Sequence, residues 1–341
     1  MGLVAAELER QGISTVVIQL LRWVTEKVRP PRALCVPFRH GYPLDSPNDP
    51  QKQHAVLAAA LNLLENQELK PPAIIDFRLN EPQEATMQFK KLEFTNAAGQ
   101  KLSARLDFPP NDNPSAYALF AHCFTCSKNI KAISHISRAL TGHGIAVMRF
   151  DFTGLGESEG DFTDTNFSSN VGDLVMAAEF MATHYEAPKI LIGHSLGGAA
   201  VLQAAAGIPS SVAVITIAAP ADPGHVSRAL GETKDIIERR GEANVNLAGR
   251  TFKIKKQFLD DLESVNMQQT IRNLNRALLI FHSPADGIVG IENAAHIFQV
   301  ARHPKSFISL DKADHLLMNP KDSQYVGSLI AAWAMKYVDA P

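Results

Sequence analysis

Ser195 lies in the run Ile190-Leu191-Ile192-Gly193-His194-Ser195-Leu196-Gly197-Gly198, with an apolar stretch before it and an alanine-rich stretch after it. A serine hydroxyl is a poor nucleophile alone. It becomes a good one when a histidine takes its proton and a carboxylate orients that histidine. Both partners are available further along the chain. Asp286 lies in His282-Ser283-Pro284-Ala285-Asp286-Gly287-Ile288-Val289, directly after the apolar run 277–281, and His315 ends Asp311-Lys312-Ala313-Asp314-His315, directly after the run 306–310. The expected chemistry is acyl transfer, with Ser195 as nucleophile, His315 as general base and Asp286 as the acid that holds the base.

The glycines around Ser195 have a physical reason. A strand that turns sharply into a helix strains the nucleophile's backbone and leaves no room for side chains two residues before or after it, where Gly193 and Gly197 stand. The first amides of the following helix have no intrahelical acceptor and face a developing oxyanion. The backbone N–H of Leu196 is one expected donor. The second is that of Phe124, from the loop His122-Cys123-Phe124-Thr125-Cys126 after the apolar run 116–121.

Other residues compete for these roles. Asp222 follows the run 212–217 and would be the acid if the acid sat one strand earlier. Asp314 adjoins His315, which makes a bond to the ring awkward. His282 precedes the acid and reads as a loop residue shaping the pocket; His194 reads as packing or pocket lining. Cys123 and Cys126 stand at Cys-x-x-Cys spacing and permit a redox reading, although such pairs normally open a helix after a thioredoxin-type strand. Two thiols without further ligands make a poor zinc site. Asp151-Phe152-Thr153-Gly154-Leu155-Gly156-Glu157-Ser158 has glycine spacing superficially like a nucleotide loop, but no third glycine in register and no helix start, and reads as a structural crossover. No metal and no cofactor is expected.

These residues need a frame. From about residue 86 strands and helices alternate: a hairpin of 87–94 and 102–108 around Asn96-Ala97-Ala98-Gly99, strands near 116–121, 145–150, 189–192, 212–217, 277–281 and 306–310, with helices between them. This predicts an α/β fold with a mostly parallel eight-stranded sheet, an antiparallel edge and helices on both faces. An insert at about 221–276, with a charged helix over 226–239 and a stretch 252–262, is too long for a bare loop and is expected to form a lid. Residues 1–82 read as a small α/β appendage with strands at 15–20 and 33–38 and an amphipathic helix carrying Val56, Leu57, Ala60, Leu61 and Leu64. So short a piece is expected to own little core and to dock on the catalytic domain or on a second chain, giving a homo-oligomer.

Composition narrows the partners. With 33 Lys+Arg against 35 Asp+Glu, the net charge of −2 gives no sequence-wide field for nucleic acid or an anionic membrane, so a small neutral substrate fits better, here a small-molecule ester from the expected chemistry. Three cysteines, at 35, 123 and 126, make no disulfide framework and suit a reducing cytoplasm. No secretory leader or membrane-spanning run is expected from the sequence, and Ala6 stands where N-myristoylation needs Ser or Thr.

Residues 86–341 resemble a serine hydrolase of the α/β-hydrolase superfamily, carried by GHSLGG at 193–198, DFTGLGESEG at 151–160, SPADGIVG at 283–290 and DKADHLL at 311–317. YALFAHCFTCSKN at 117–129 and RHPKSFISLDKADHLL at 302–317 are similar to bacterial hydrolases often fused to an OsmC-type domain; none is expected here, since the chain stops after the last helix. Residues 1–82 resemble the tail of a glycine/proline reductase-related protein, without its selenocysteine or cysteine motif, so no reductase activity is transferred. The resemblance implies an esterase-like fold and activity. The expected function is a carboxylesterase for short-acyl esters, since the insert is modest and not markedly apolar. A peptidase or thioesterase with the same three residues is the alternative, and a non-catalytic or redox module using Cys123 and Cys126 is the rival of another class.

Overall fold

The alternation of apolar and helical runs resolves, in the computed structural model, into two units, Met1–Thr86 and Met87–Pro341. The described residues are 2–38, 41–44, 50–66, 69–77, 88–123, 126–224, 227, 230–247 and 250–338. The start of the expected hairpin at 87, the start of the insert's charged helix at 226 and Phe124 lie outside them.

In the first unit, helix α1 (Gly2–Arg10) precedes strand β1 (Val17–Gln19), α2 (Arg22–Val28), β2 (Arg32–Cys35), α3 (Pro50–Glu65) and β3 (Ala73–Asp76). The strands form a parallel sheet in the order β1-β2-β3, and α2 and α3 supply the crossovers that parallel strands require. Leu34, Val36, Val56, Ala60 and Phe77 are buried together, with Val16, Ile18 and Leu63 packed against them. Glu9 accepts the Thr15 N–H at 2.8 Å and pairs with Arg32 at 2.5 Å, tying α1 to β2. The two expected strands therefore pair within the unit itself, not with another chain or the edge of the main sheet. A third strand, only four residues long and so without a visible period in the sequence, completes a sheet with its own small core.

The second unit holds β4 (Phe89–Thr95), β5 (Lys101–Asp107), β6 (Ala116–Ala121), β7 (Ile145–Phe150), β8 (Ile190–His194) and β9 (Ala213–Ile217). An outlying hairpin of β10 (Glu242–Leu247) and β11 (Arg250–Lys255) follows, then β12 (Ala277–His282) and β13 (Lys305–Ser309). The main sheet has eight strands in the order β13-β12-β9-β8-β6-β7-β5-β4. β4 and β5 pair antiparallel, β5 joins β7 antiparallel, and the other pairs are parallel. Every residue of β6, β7, β8, β9 and β12 is buried, which is why these strands read as continuous apolar runs rather than alternating ones.

Helices α4 (Lys131–Gly142), α5 (Phe167–His184) and α6 (Leu196–Ala204) follow β6, β7 and β8; α7 (Glu232–Arg240), α8 (Lys256–Ser264) and α9 (Met267–Arg272) belong to the insert; α10 (Glu292–Val300) and α11 (Pro320–Val338) flank β13. Two core layers sandwich the sheet. One joins Ile133, Ile136 and Leu140 of α4 to Val326, Ile330 and Ala334 of α11. There a Cβ on Gly327 would lie 2.7 Å from that of Ala139, so the glycine lets the two helices approach closely. The other layer joins Leu174 and Met181 of α5 to Ala199 and Val201 of α6.

The insert contains a hairpin that the sequence reading did not include. Val245 pairs with Phe252 and Ala243 with Ile254, so apolar residues alternate onto one face. Phe252 meets Phe162 edge-on at 5.2 Å, and Asp261 of α8 accepts the N–H and hydroxyl of Ser168 at 2.8 and 2.6 Å, fastening the insert to the start of α5.

Candidate active site

Ser195, Asp286 and His315 follow β8, β12 and β13, at the carboxyl ends of parallel strands, where open α/β sheets place their ligands. Ser195 has φ 54° and ψ −125°, a conformation that costs a non-glycine residue of order 1–3 kcal/mol. The surroundings enforce it: the Ser195 N–H donates to the Ile217 carbonyl at 2.8 Å, and a Cβ on Gly193 would lie 2.2 Å from the Gly197 carbonyl oxygen. A Cβ on Gly197 would lie 2.4 Å from the His122 carbonyl oxygen. The elbow thus seats directly on the end of β6, with the first amide of α6, that of Leu196, beside the loop that follows β6.

The three side chains form a hydrogen-bonded line. His315 Nε2 lies 3.0 Å from Ser195 Oγ, and its Nδ1 lies 2.8 Å from Asp286 Oδ2. The Asp286 carboxylate is buried and ionised: burial opposes its charge, but the bonds from His315 and the Val289 and Ile288 amides outweigh burial and hold its pKa below the usual carboxylate value. Nδ1 therefore donates to the acid, and Nε2 keeps a lone pair for the serine proton. Asp222 is not brought to His315. Its Oδ1 accepts the Gly224 N–H at 2.9 Å, and it lines a cavity of about 670 Å³ under the insert with Ser227, Lys234, Glu263 and His296. Asp314 caps its own loop by accepting the Leu316 and Met318 amides. A cavity of about 10 Å³ lies between His122, Phe152, Phe167, Asn170 and Leu196.

Of the expected oxyanion donors, Leu196 stands at the first position of α6, while Phe124 lies outside the described residues. Cys123 and Cys126 are joined as a disulfide. The Cys126 N–H donates to the Cys123 carbonyl at 3.1 Å, a turn that brings the Cα atoms to 5.3 Å, within bridging range. The link is local and Cys35 is free and buried, so no framework arises.

Three features were not assigned from sequence. Asp151, buried at the end of β7, accepts the Lys128 N–H and ammonium, each at 2.6 Å, and the Glu157 amide at 3.0 Å. It thereby joins the segment after Cys126 to the DFTGLGES crossover; a Cβ on Gly156 would collide with the Asp151 carboxylate at 2.3 Å, which explains that glycine. His194 and His282, read as lining and loop residues, are instead the last residues of β8 and β12. Both are buried, and both bond to loops that carry the candidate acid and base. Their position beside Ser195 and at the end of an apolar run was the available signal.

The strand order, the strained serine between glycines and the Ser–His–Asp line define an α/β-hydrolase architecture. The chain belongs to the α/β-hydrolase superfamily: residues 113–241 match the family described as serine aminopeptidase, S33, and the solved esterase domain of a Rhodothermus marinus protein is 55% identical, with a TM-score of 0.62 over 74% of this chain and 100% of that one. The palmitoyl-protein thioesterase ABHD10, mitochondrial, of Mus musculus is 30% identical over 202 residues, 57% of this chain and 66% of that protein. The monoglyceride lipase of Homo sapiens is 30% identical over 127 residues, 37% of this chain and 41% of that protein. The matches thus span less than two thirds of either curated relative. Est1E of Butyrivibrio proteoclasticus, solved with ferulic acid bound, shares the fold at 21% identity and a TM-score of 0.65, over 73% of this chain and 100% of that one. Among the described residues no helix is long and apolar enough to cross a membrane.

Proposed function

We propose that the chain is a serine carboxylesterase for small, short-acyl esters. His315 takes the proton of Ser195, the alkoxide attacks the ester carbonyl, and the tetrahedral oxyanion is held by the N–H groups of Leu196 and Phe124. His315 then protonates the departing alcohol, and the acyl-enzyme is hydrolysed by a water that His315 deprotonates. Asp286 holds the imidazole tautomer throughout and balances its charge. The observation that carries this reading is the line Ser195–His315–Asp286, at 3.0 and 2.8 Å, built on a serine with φ 54°.

The 55% identity to an esterase domain supports an ester as substrate. The short-acyl preference is supported by the insert at about 221–276, which is modest in length and not markedly apolar. The match to a palmitoyl-protein thioesterase favours a second reading, in which the same residues cleave a thioester. The setting in this reading is cytoplasmic, and the first unit serves docking or oligomerisation.

Steady-state hydrolysis of p-nitrophenyl acetate through dodecanoate, beside an acyl-thioester series, tests both readings. Higher kcat/KM for acetate and butyrate than for dodecanoate is expected, with Ser195→Ala and His315→Ala each lowering turnover by several orders of magnitude. Near-wild-type turnover in either variant refutes the mechanism, and preference for dodecanoate or for thioesters replaces the substrate class.

A further inference from the structure

Two strands that lead into the site end in buried histidines, and each reaches out of the sheet to a loop of the site. His194 Nε2 lies 2.6 Å from the backbone carbonyl oxygen of His315, and His282 Nε2 lies 2.7 Å from that of Val289. A carbonyl only accepts, so in both rings Nε2 carries the proton and donates. At His282 this leaves Nδ1 as a bare lone pair, and that atom is indeed buried with no hydrogen-bond partner. The same ring sits 3.7 Å from Asp286 Oδ2.

The loops so held are also organised from within. Asp286 Oδ1 accepts the Ile288 and Val289 amides, and Asp314 accepts those of Leu316 and Met318. Burial of Leu310, Ala313 and Leu317 with Ile217 and Phe281 holds the base's loop against the core, and the histidine bonds add a directed link from each loop to a strand end. His194 is covalently next to the nucleophile, so its bond to the His315 carbonyl links the backbones of nucleophile and base directly; His282 likewise ties the acid's loop to the last residue of β12. The His194 ring lies 5.2 Å from that of His315, and burial, followed by repulsion from a charged His315, pushes its pKa down to about 4. A neutral His194 adds no repulsion when His315 becomes an imidazolium.

We propose that His194 and His282 are positioning residues, which latch the base and the acid to the strand ends so that the Ser195–His315–Asp286 line is preformed. This rests on the triad reading above, so the test carries Ser195→Ala as its reference. His194→Leu and His282→Leu remove the donor; His194→Gln keeps an N–H that can extend to the same carbonyl, and His194→Asn falls one bond short. Rates on p-nitrophenyl butyrate are normalised by titration with a serine-directed phosphonate, and thermal midpoints are recorded. In each Leu variant kcat should fall about 10- to 100-fold with KM within about twofold, the cost of misplacing a reacting group by around 1 Å. His194→Gln should recover most of the loss and His194→Asn little of it. Wild-type kcat per titrated serine in the Leu variants, with only the midpoint lowered, overturns the proposal by making the histidines structural. Should the Leu variants not fold, equal rates for Gln and Asn overturn it. Full activity in Ser195→Ala instead removes the triad reading itself.

Discussion

Replacing Asp286 by asparagine keeps the side chain's shape and inverts its bonding to His315. Oδ1 accepts the Ile288 and Val289 amides at 2.9 and 3.0 Å, so the asparagine carbonyl stays on that side and its NH2 faces His315 Nδ1, where the carboxylate oxygen now lies at 2.8 Å. Two N–H groups cannot face one another. Nδ1 gives up its proton, Nε2 takes it, and a protonated Nε2 cannot accept the proton of Ser195 Oγ 3.0 Å away. The wrong tautomer costs about 10⁴-fold in kcat in serine triads, or about 5 kcal/mol of transition-state stabilisation. Asp222→Asn should change kcat/KM by no more than about two- to threefold, since the asparagine oxygen still accepts the Gly224 amide. The assay is p-nitrophenyl butyrate hydrolysis with active-site titration of both variants. Less than a tenfold loss in Asp286→Asn, or a larger loss in Asp222→Asn, would show that the 2.8 Å bond does not set the tautomer of the base.

Ser195→Gly should abolish turnover yet raise stability by about 1–2 kcal/mol, because glycine holds φ 54° without the strain of about 1–3 kcal/mol, which exceeds its extra chain entropy of about 0.5–1 kcal/mol; a lowered thermal midpoint would place the strain elsewhere. His194 carries a pH signature. Its folded pKa of about 4 lies below the unfolded value near 6.5, so the unfolded chain binds the extra proton between those limits, and stability is lost as pH falls from 6.5 to 4. The loss is about 3 kcal/mol from this residue, and denaturant midpoints of His194→Gln should fall less over that window than those of wild type; parallel curves would refute it. Deleting residues 1–82 should change mass by light scattering, solubility or thermal midpoint more than turnover per titrated serine, since every site residue lies beyond residue 115. Unchanged mass and midpoint with much slower titrated sites would put the first unit into the active site.

Much of the site was legible in one dimension because its chemistry is tied to element ends. A serine two residues from glycine on either side, an aspartate after one apolar run and a histidine after the last are recognisable without coordinates, since a parallel strand buried on both faces must be apolar and its carboxyl end must be where polar residues resume. The eight-strand count and the antiparallel edge follow from the same contrast. What sequence left open was decided by packing. Asp286 rather than Asp222 meets His315 because β12 lies next to β13 whereas β9 is one strand further in, a matter of sheet order that no local pattern encodes. The four-residue β3 is too short to show a period and becomes a strand only through its partners, whereas the insert's hairpin does carry an alternation, Ala243 and Val245 on one strand against Ile254 and Phe252 on the other. His194 and His282 were visible as residues but not as donors, because a histidine's role is set by which backbone carbonyl the fold brings within 3 Å of its ring.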